Sequence, residues 1–200
     1  MFFTIPTLSI YLSFCRDFFD FIFIISVLSF WFLKKKLPSI KSFKRILNIF
    51  IVVILFQAFS ETFLNWWLWS QQRITQQLLP PHTSIAYVLK YSWQHYFFAS
   101  IVTIIFALIV FWGIKSLNKK FNKTFFYDEE PYLSALGILA VSWPNCLIFL
   151  CLVLLLGVIA HFIIQKGRLP LLYFWLPCAL LILLLGDIIS KYIITNQLII

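Results

Sequence analysis

Charged side chains are scarce in this chain, at 12% of its 200 residues, whereas a soluble domain carries about a quarter. Glycine is also scarce, with 5 residues, so the glycine-rich loops that bind phosphates or dinucleotides are excluded. What remains is 62% apolar and 20% aromatic. This composition predicts an integral membrane protein with little mass outside the bilayer.

Motifs for metal binding and nucleophilic catalysis are lacking as well. The four cysteines include no CxxC pair, and the three histidines form neither an H-E-x-x-H motif nor a pair at metal-ligand spacing. No G-x-S-x-G sequence marks a serine nucleophile. We therefore expect no metal site, no cofactor and no disulfide framework.

Long apolar segments dominate the sequence instead, and a membrane-spanning helix needs roughly 20 residues. The predicted spans cover residues 18–33, 46–69, 95–114, 144–164 and 170–189. Trp143-Pro144 interrupts a longer apolar segment, which predicts a half-helix over 131–142 ahead of the fourth span, with one kinked helix as the alternative. The predicted fold class is all-α, a polytopic bundle of about five transmembrane helices plus one half-helix, forming a single domain over 1–200.

The formal net charge of +9 is concentrated in short loops. The loops at 34–45 and 115–123 hold most of the basic residues, and such loops stay on the cytoplasmic side of a membrane. This pattern predicts an outside N-terminus and a cytoplasmic C-terminus, in a bacterial inner membrane or, alternatively, an organelle inner membrane. Loops this short form no groove for nucleic acid, so the predicted partner is the lipid bilayer.

Ionisable residues inside apolar segments are energetically costly, which makes them functional candidates. Glu61 lies inside the second span, with Asn65 four residues later on the same helix face. Two interpretations stay open, a proton-carrying or catalytic carboxylate and a hydrogen-bonded contact between helices. Asp187, near the end of the last span, is either an intramembrane catalytic aspartate or an interfacial acid paired with Lys191.

An acidic cluster, Asp128-Glu129-Glu130, directly precedes Pro131. Acids in a first helical turn are stabilised by the helix dipole, and proline suits that turn, which explains the cluster structurally. The functional alternative is that one of the three acids faces a site at the membrane surface. With a ~30 Å apolar core, Glu61 and Asp128 are expected ~15–20 Å apart, too far to share a proton.

The second half of the sequence contains a recognisable order of motifs. The residues concerned are Phe126-Tyr127-Asp128-Glu129-Glu130-Pro131-Tyr132-Leu133-Ser134-Ala135-Leu136-Gly137, then Ser142-Trp143-Pro144, and finally Leu169-Pro170 through Trp175-Leu176-Pro177 to Gly186-Asp187. Over 97–189 the chain resembles type IV prepilin peptidases, which are aspartic proteases of the bacterial inner membrane. Their motif at the cytoplasmic face is Gly-x-Gly-Asp-x-Lys-Leu. Asp128 is the counterpart of its aspartate here, and both motif glycines are missing.

The resemblance implies an aspartic endopeptidase that cuts a membrane-anchored substrate on the cytoplasmic side, with Asp128 and then Asp187 as the catalytic candidates. The missing glycines leave open a degenerate, non-catalytic relative. Two other functions are compatible with the sequence. One is a structural or accessory subunit bound to other membrane proteins, and the other is a small transporter component that uses Glu61.

Overall fold

The computed structural model describes residues 25, 40–71, 73, 75–121, 126–164 and 171–185. Within them all the regular structure is helical, which confirms the all-α class. We number the helices in chain order: α1 Ile40–Gln71, α2 Ile85–Lys120, α3 Glu130–Val141, α4 Asn145–Ile164 and α5 Trp175–Leu185. Except for residue 25, the predicted span 18–33 lies outside these residues, and so does Asp187.

Two of the helices, α1 and α2, are long and apolar. α1 has 32 residues and α2 has 36, and by length and composition each is able to cross a membrane. Both extend past the predicted spans 46–69 and 95–114, because basic and polar residues continue each helix beyond its apolar part. Lysine and arginine are good helix formers, so the edge of an apolar segment does not set where a helix begins.

α2 contains one π-helical turn, Trp93–Phe97. At the end of this turn the backbone N–H of Phe98 donates a hydrogen bond to the carbonyl oxygen of Trp93, five residues earlier. Such turns hold one extra residue within an α-helix, and they occur often at functional sites. The first third of α2 is therefore irregular at the level where it packs against α1.

α3 is the central helix of the fold. Every residue of α3 except Tyr132 is buried, and the helix packs against α1, α2 and α4. Pro131 lies in its first turn, where the missing backbone N–H costs no intrahelical hydrogen bond. α3 occupies the position of the predicted half-helix 131–142. Its 12 residues extend about 18 Å, which is too short to cross a bilayer.

The chain breaks between α3 and α4 and does not form one kinked helix. Ser142 has a positive φ of 62°, and the Trp143-Pro144 peptide bond is cis. The backbone N–H of Trp143 donates a 2.9 Å hydrogen bond to Thr103 Oγ1 of α2. The break is therefore tied to the middle of α2, at the proline that led us to predict it.

Close packing continues from α3 into α4 and α5. The ring of Phe149 in α4 lies against Gly137 in α3, where an added Cβ would come within 2.5 Å of Phe149 Cζ. Trp175 of α5 contacts Phe149 in turn, with ring centroids 5.9 Å apart. Phe149 and Trp175 are both buried. The core therefore runs from α3 through Phe149 to the start of α5.

Candidate functional sites

The three residues of the acidic cluster ahead of α3 differ in how far they are buried. Asp128 is exposed, Glu129 is half-buried and Glu130 is fully buried, at 0% exposure. The backbone N–H of Glu130 donates a 3.2 Å hydrogen bond to the carbonyl oxygen of Tyr127, which forms a turn just ahead of the helix. This turn leaves Asp128 at the surface and Glu130 in the core, so the two carboxyl groups have different surroundings.

Asp128 lines an open pocket of about 700 Å³ between the end of α2 and the start of α3. The lining mixes apolar, aromatic and charged side chains: Ile40, Phe111, Trp112, Lys115, Ser116, Asn118, Lys119, Asp128, Pro131 and Tyr132. Two lysines and one carboxylate leave this lining with one net positive charge. Its volume is within the range of pockets that hold small molecules.

Aromatic and amide side chains build the wall of this pocket. Lys115 Nζ lies 4.9 Å from the centre of the Trp112 ring and 5.8 Å from that of Phe111, distances at which a cation is attracted to an aromatic face. The buried Asn118 accepts a 3.1 Å hydrogen bond at Oδ1 from the backbone N–H of Phe126. The end of α2 is therefore tied to the segment that carries the acidic cluster.

The second candidate site surrounds Glu61 in α1. Its side chain is half-buried, and Oε1 accepts a 2.8 Å hydrogen bond from Nε2 of Gln57, one turn earlier. Glu61 also interacts electrostatically with Tyr96 in the π turn of α2. Asn65 is half-buried one turn later. These surroundings fit a contact between α1 and α2, and a proton-carrying role for Glu61 stays a prediction.

Aromatic rings join α1 to α2 near this second site. Phe59 and Phe97 meet edge-on with centroids 5.0 Å apart. Further along, the ring of Tyr91 lies 4.9 Å from that of Trp69 and 4.1 Å from that of His95. Aromatic pairs at these separations add to the free energy of packing. The rings fix the two helices against each other at the π turn, through Phe97, and just before it, through Tyr91.

The two candidate sites lie at opposite ends of α2. From Tyr96, which interacts electrostatically with Glu61, to Lys115, which shares the pocket with Asp128, the helix rises about 28 Å at 1.5 Å per residue. A dyad of Glu61 and Asp128 is excluded, because two carboxyl groups must be at hydrogen-bond distance to share a proton. The pair Asp128 and Asp187 stays a prediction, since Asp187 lies outside the described residues.

Three features of these sites were not predicted from the sequence. They are the burial of Glu130, the position of Lys115 and Lys119 in the pocket, and the position of Tyr96. A signal for the pocket did exist, because Trp112, Lys115 and Lys119 are spaced for one face of a helix. The burial of Glu130 had no local signal, since it depends on how α1, α2 and α4 surround α3.

In the part of the chain that the structure describes, no group of three or more His, Cys, Asp or Glu side chains could hold a metal ion. Comparison with known proteins finds no family model, no curated protein and no solved structure that matches this chain.

Proposed function

We propose that this chain is a multi-pass membrane protein with a cytoplasmic C-terminus. One observation in support is a row of large apolar side chains on α1, spaced three or four residues apart and 60% to 71% exposed: Ile49, Val52, Phe56, Phe59 and Phe63. In water such a row would promote aggregation, whereas lipid tails are as apolar as the side chains themselves. The length and hydropathy of α1 and α2 support the same assignment.

The function proposed within the membrane is that of a prepilin-peptidase-like protein. The observation that carries it is the place of the acidic cluster. Three consecutive acids stand at the start of a buried helix too short to cross a bilayer, and Asp128 lines an open pocket there. With the predicted topology, this pocket opens at the cytoplasmic face of the membrane, where type IV prepilin peptidases cut their substrates.

The chemistry of an aspartic peptidase needs two carboxyl groups that share one proton. The ionised carboxylate takes a proton from water as the water oxygen attacks the scissile carbonyl carbon, and the protonated carboxyl donates to the carbonyl oxygen. The carboxyl that took the proton from water then donates it to the leaving amine nitrogen as the C–N bond breaks, and the reforming carbonyl oxygen returns its proton to the other carboxylate. Asp128 is the proposed first carboxyl and Asp187 the proposed second. Without a second carboxyl nearby, the chain would be a non-catalytic relative.

Cleavage of a prepilin substrate co-expressed with the full chain tests this function. We expect wild-type cleavage to be lost in Asp128→Asn and in Asp187→Asn. Lys120→Gln, which removes a charge outside the pocket at the same end of α2, should leave cleavage unchanged. Cleavage retained in both aspartate variants contradicts the assignment. If the wild-type chain does not cleave the substrate while a control peptidase does, only the proposal of a non-catalytic relative is left.

A second function, that of a structural or accessory subunit, is favoured by the exposed row on α1 and by the distance between the two sites. A subunit of this kind needs no paired carboxylates, and its exposed rings offer a surface for neighbouring transmembrane helices. Purification in mild detergent tests it. We expect stoichiometric partners to copurify with the wild type and to be lost when Phe56 and Phe63 are both changed to alanine. The control variant, with Ile105 and Ile109 of α2 changed to alanine, should keep them. A clean wild-type monomer contradicts it.

A further inference from the structure

The pocket beside Asp128 combines basic and aromatic side chains on one helix face. One wall comes from the last turns of α2, with residues three, four and seven positions apart: Trp112, Lys115, Ser116 and Lys119. All four are exposed. Two ammonium groups and a hydroxyl therefore line the same wall, beside an indole ring.

The opposite wall comes from the segment that begins α3. Asp128, Pro131 and Tyr132 line it, and Ile40 at the start of α1 closes one side. The Tyr132 ring meets Phe111 of α2 edge-on, with centroids 5.1 Å apart, so the two walls are in contact there. The pocket is thus built by three helices, and two of its lining residues are aromatic rings in contact with each other.

The position of the pocket along α2 matches a membrane–water boundary. The apolar part of α2 ends at Ile114, two residues after Trp112, which is 60% exposed, and lysines follow from Lys115 onward. Tryptophan and tyrosine concentrate at the level of lipid headgroups, and lysines next to a span attract anionic lipids. With one net positive charge in its lining, the pocket is complementary to a ligand with one negative charge.

We propose that this pocket binds the headgroup of an anionic phospholipid, a phosphodiester with the charge and hydroxyl groups of phosphatidylglycerol. Lys115 and Lys119 bind the phosphate, and the Asp128 carboxylate accepts hydrogen bonds from the glycerol hydroxyls of the headgroup. The acyl chains lie along the apolar part of α2 below Trp112. The site rests on the proposed membrane location and not on peptidase activity.

Native mass spectrometry of the full chain in mild detergent tests the site, with short-chain phosphatidylglycerol as the probe and phosphatidylcholine of the same chain length beside it. We expect Lys115→Gln with Lys119→Gln to weaken phosphatidylglycerol binding about thirtyfold, roughly fivefold for each lysine near an anionic headgroup. The matched control, Lys44→Gln with Lys120→Gln, removes the same charge from exposed lysines outside the pocket and should leave binding unchanged. Circular dichroism shows whether each variant is folded.

Three results would overturn the site. An equal loss in the control pair would mean that general surface charge attracts the lipid. If the wild type binds phosphatidylcholine as tightly as phosphatidylglycerol, the pocket does not discriminate between lipid headgroups. This comparison needs no variant. Equal binding of glycerophosphate, which has no acyl chains, would assign the pocket to a soluble phosphate. Loss of substrate cleavage with unchanged lipid affinity would leave the site standing, so the two proposals fail separately.

Discussion

The backbone N–H of Trp143 and the side-chain hydroxyl oxygen of Thr103 are joined by a 2.9 Å hydrogen bond between residues 40 positions apart. The Thr103 hydroxyl donates its own proton to the carbonyl oxygen of Ala99 at 2.8 Å, so its lone pairs are left to accept from Trp143. Thr103 is 1% exposed. One hydroxyl in the middle of α2 therefore holds the break that separates α3 from α4.

Replacing Thr103 by valine should destabilise the protein by about 1 kcal/mol, because the shape is kept while a partly buried backbone N–H loses its acceptor. Thr103→Ser keeps the hydroxyl and should recover most of the loss. Reversible unfolding in detergent measures both. Thr62→Val is the matched control, since the Thr62 hydroxyl donates to the carbonyl oxygen of Ala58 within its own helix. An equal effect at both threonines would show that the bond to Trp143 contributes nothing.

Gly137→Ala should also destabilise the protein, by about 1–3 kcal/mol, because the new methyl group would meet the Phe149 ring at 2.5 Å. Gly113→Ala is the control, since nothing lies within 4 Å of a Cβ there, and alanine in an exposed helix should be neutral or stabilising by up to about 1 kcal/mol. Adding Phe149→Leu should recover part of the loss at Gly137. Unfolding midpoints that fall equally for the two glycine variants would contradict the close contact between α3 and α4.

Glu61→Gln should leave the free energy of unfolding within about 0.5 kcal/mol of the wild type, because the amide oxygen still accepts the hydrogen bond from Gln57. Glu61→Leu removes that acceptor and should cost about 1 kcal/mol. A loss in Glu61→Gln as large as that in Glu61→Leu would show that the charge itself is needed.

The same Glu61→Gln variant tests the transporter alternative. A carboxyl group that carries protons cannot be replaced by an amide, so proton-driven uptake that depends on this chain would be lost in the variant. Unchanged uptake would remove the reason for that alternative, which depends on Glu61 alone.

Labelling of single cysteines tests the proposed orientation. In a background with all four native cysteines replaced, a membrane-impermeant maleimide should label Ser84→Cys in intact cells. It should label Ser116→Cys only after permeabilisation, because the two positions flank the apolar part of α2. The reverse pattern would invert the proposed topology. Labelling of both positions in intact cells would mean that α2 does not cross the membrane.

The sequence predicted the elements that depend on local chemistry. Pro144 marked the end of α3, because a proline in the interior of an apolar segment removes a backbone hydrogen-bond donor and ends or kinks a helix there. The apolar segments located α1 and α2 for a similar reason, since length and hydropathy are local properties. They did not locate the helix ends. α2 begins at Ile85, upstream of the predicted start at His95, because helical structure continues through residues too polar for a membrane core.

The candidate sites were harder to predict because each depends on the rotation of helices about their axes. Asp128, Glu129 and Glu130 are adjacent in the chain, yet only the last is buried. Nothing in their side chains distinguishes the two glutamates, so the difference comes from the helices that surround α3. The pocket has the same origin, since its lining comes from the end of α2, the start of α3 and the start of α1.

α2 should tolerate the loss of a residue better at its π turn than elsewhere in the helix. Removing a single residue from Trp93–Phe97 would convert the π turn to regular α-helix and keep the faces of both flanking segments. Removing a residue from 98–110 would instead rotate the two parts of the helix by about 100° against each other, and would turn the pocket lysines away from Asp128. An insertion or deletion that separates relatives of this chain is therefore expected at the π turn before it is expected anywhere in 98–110.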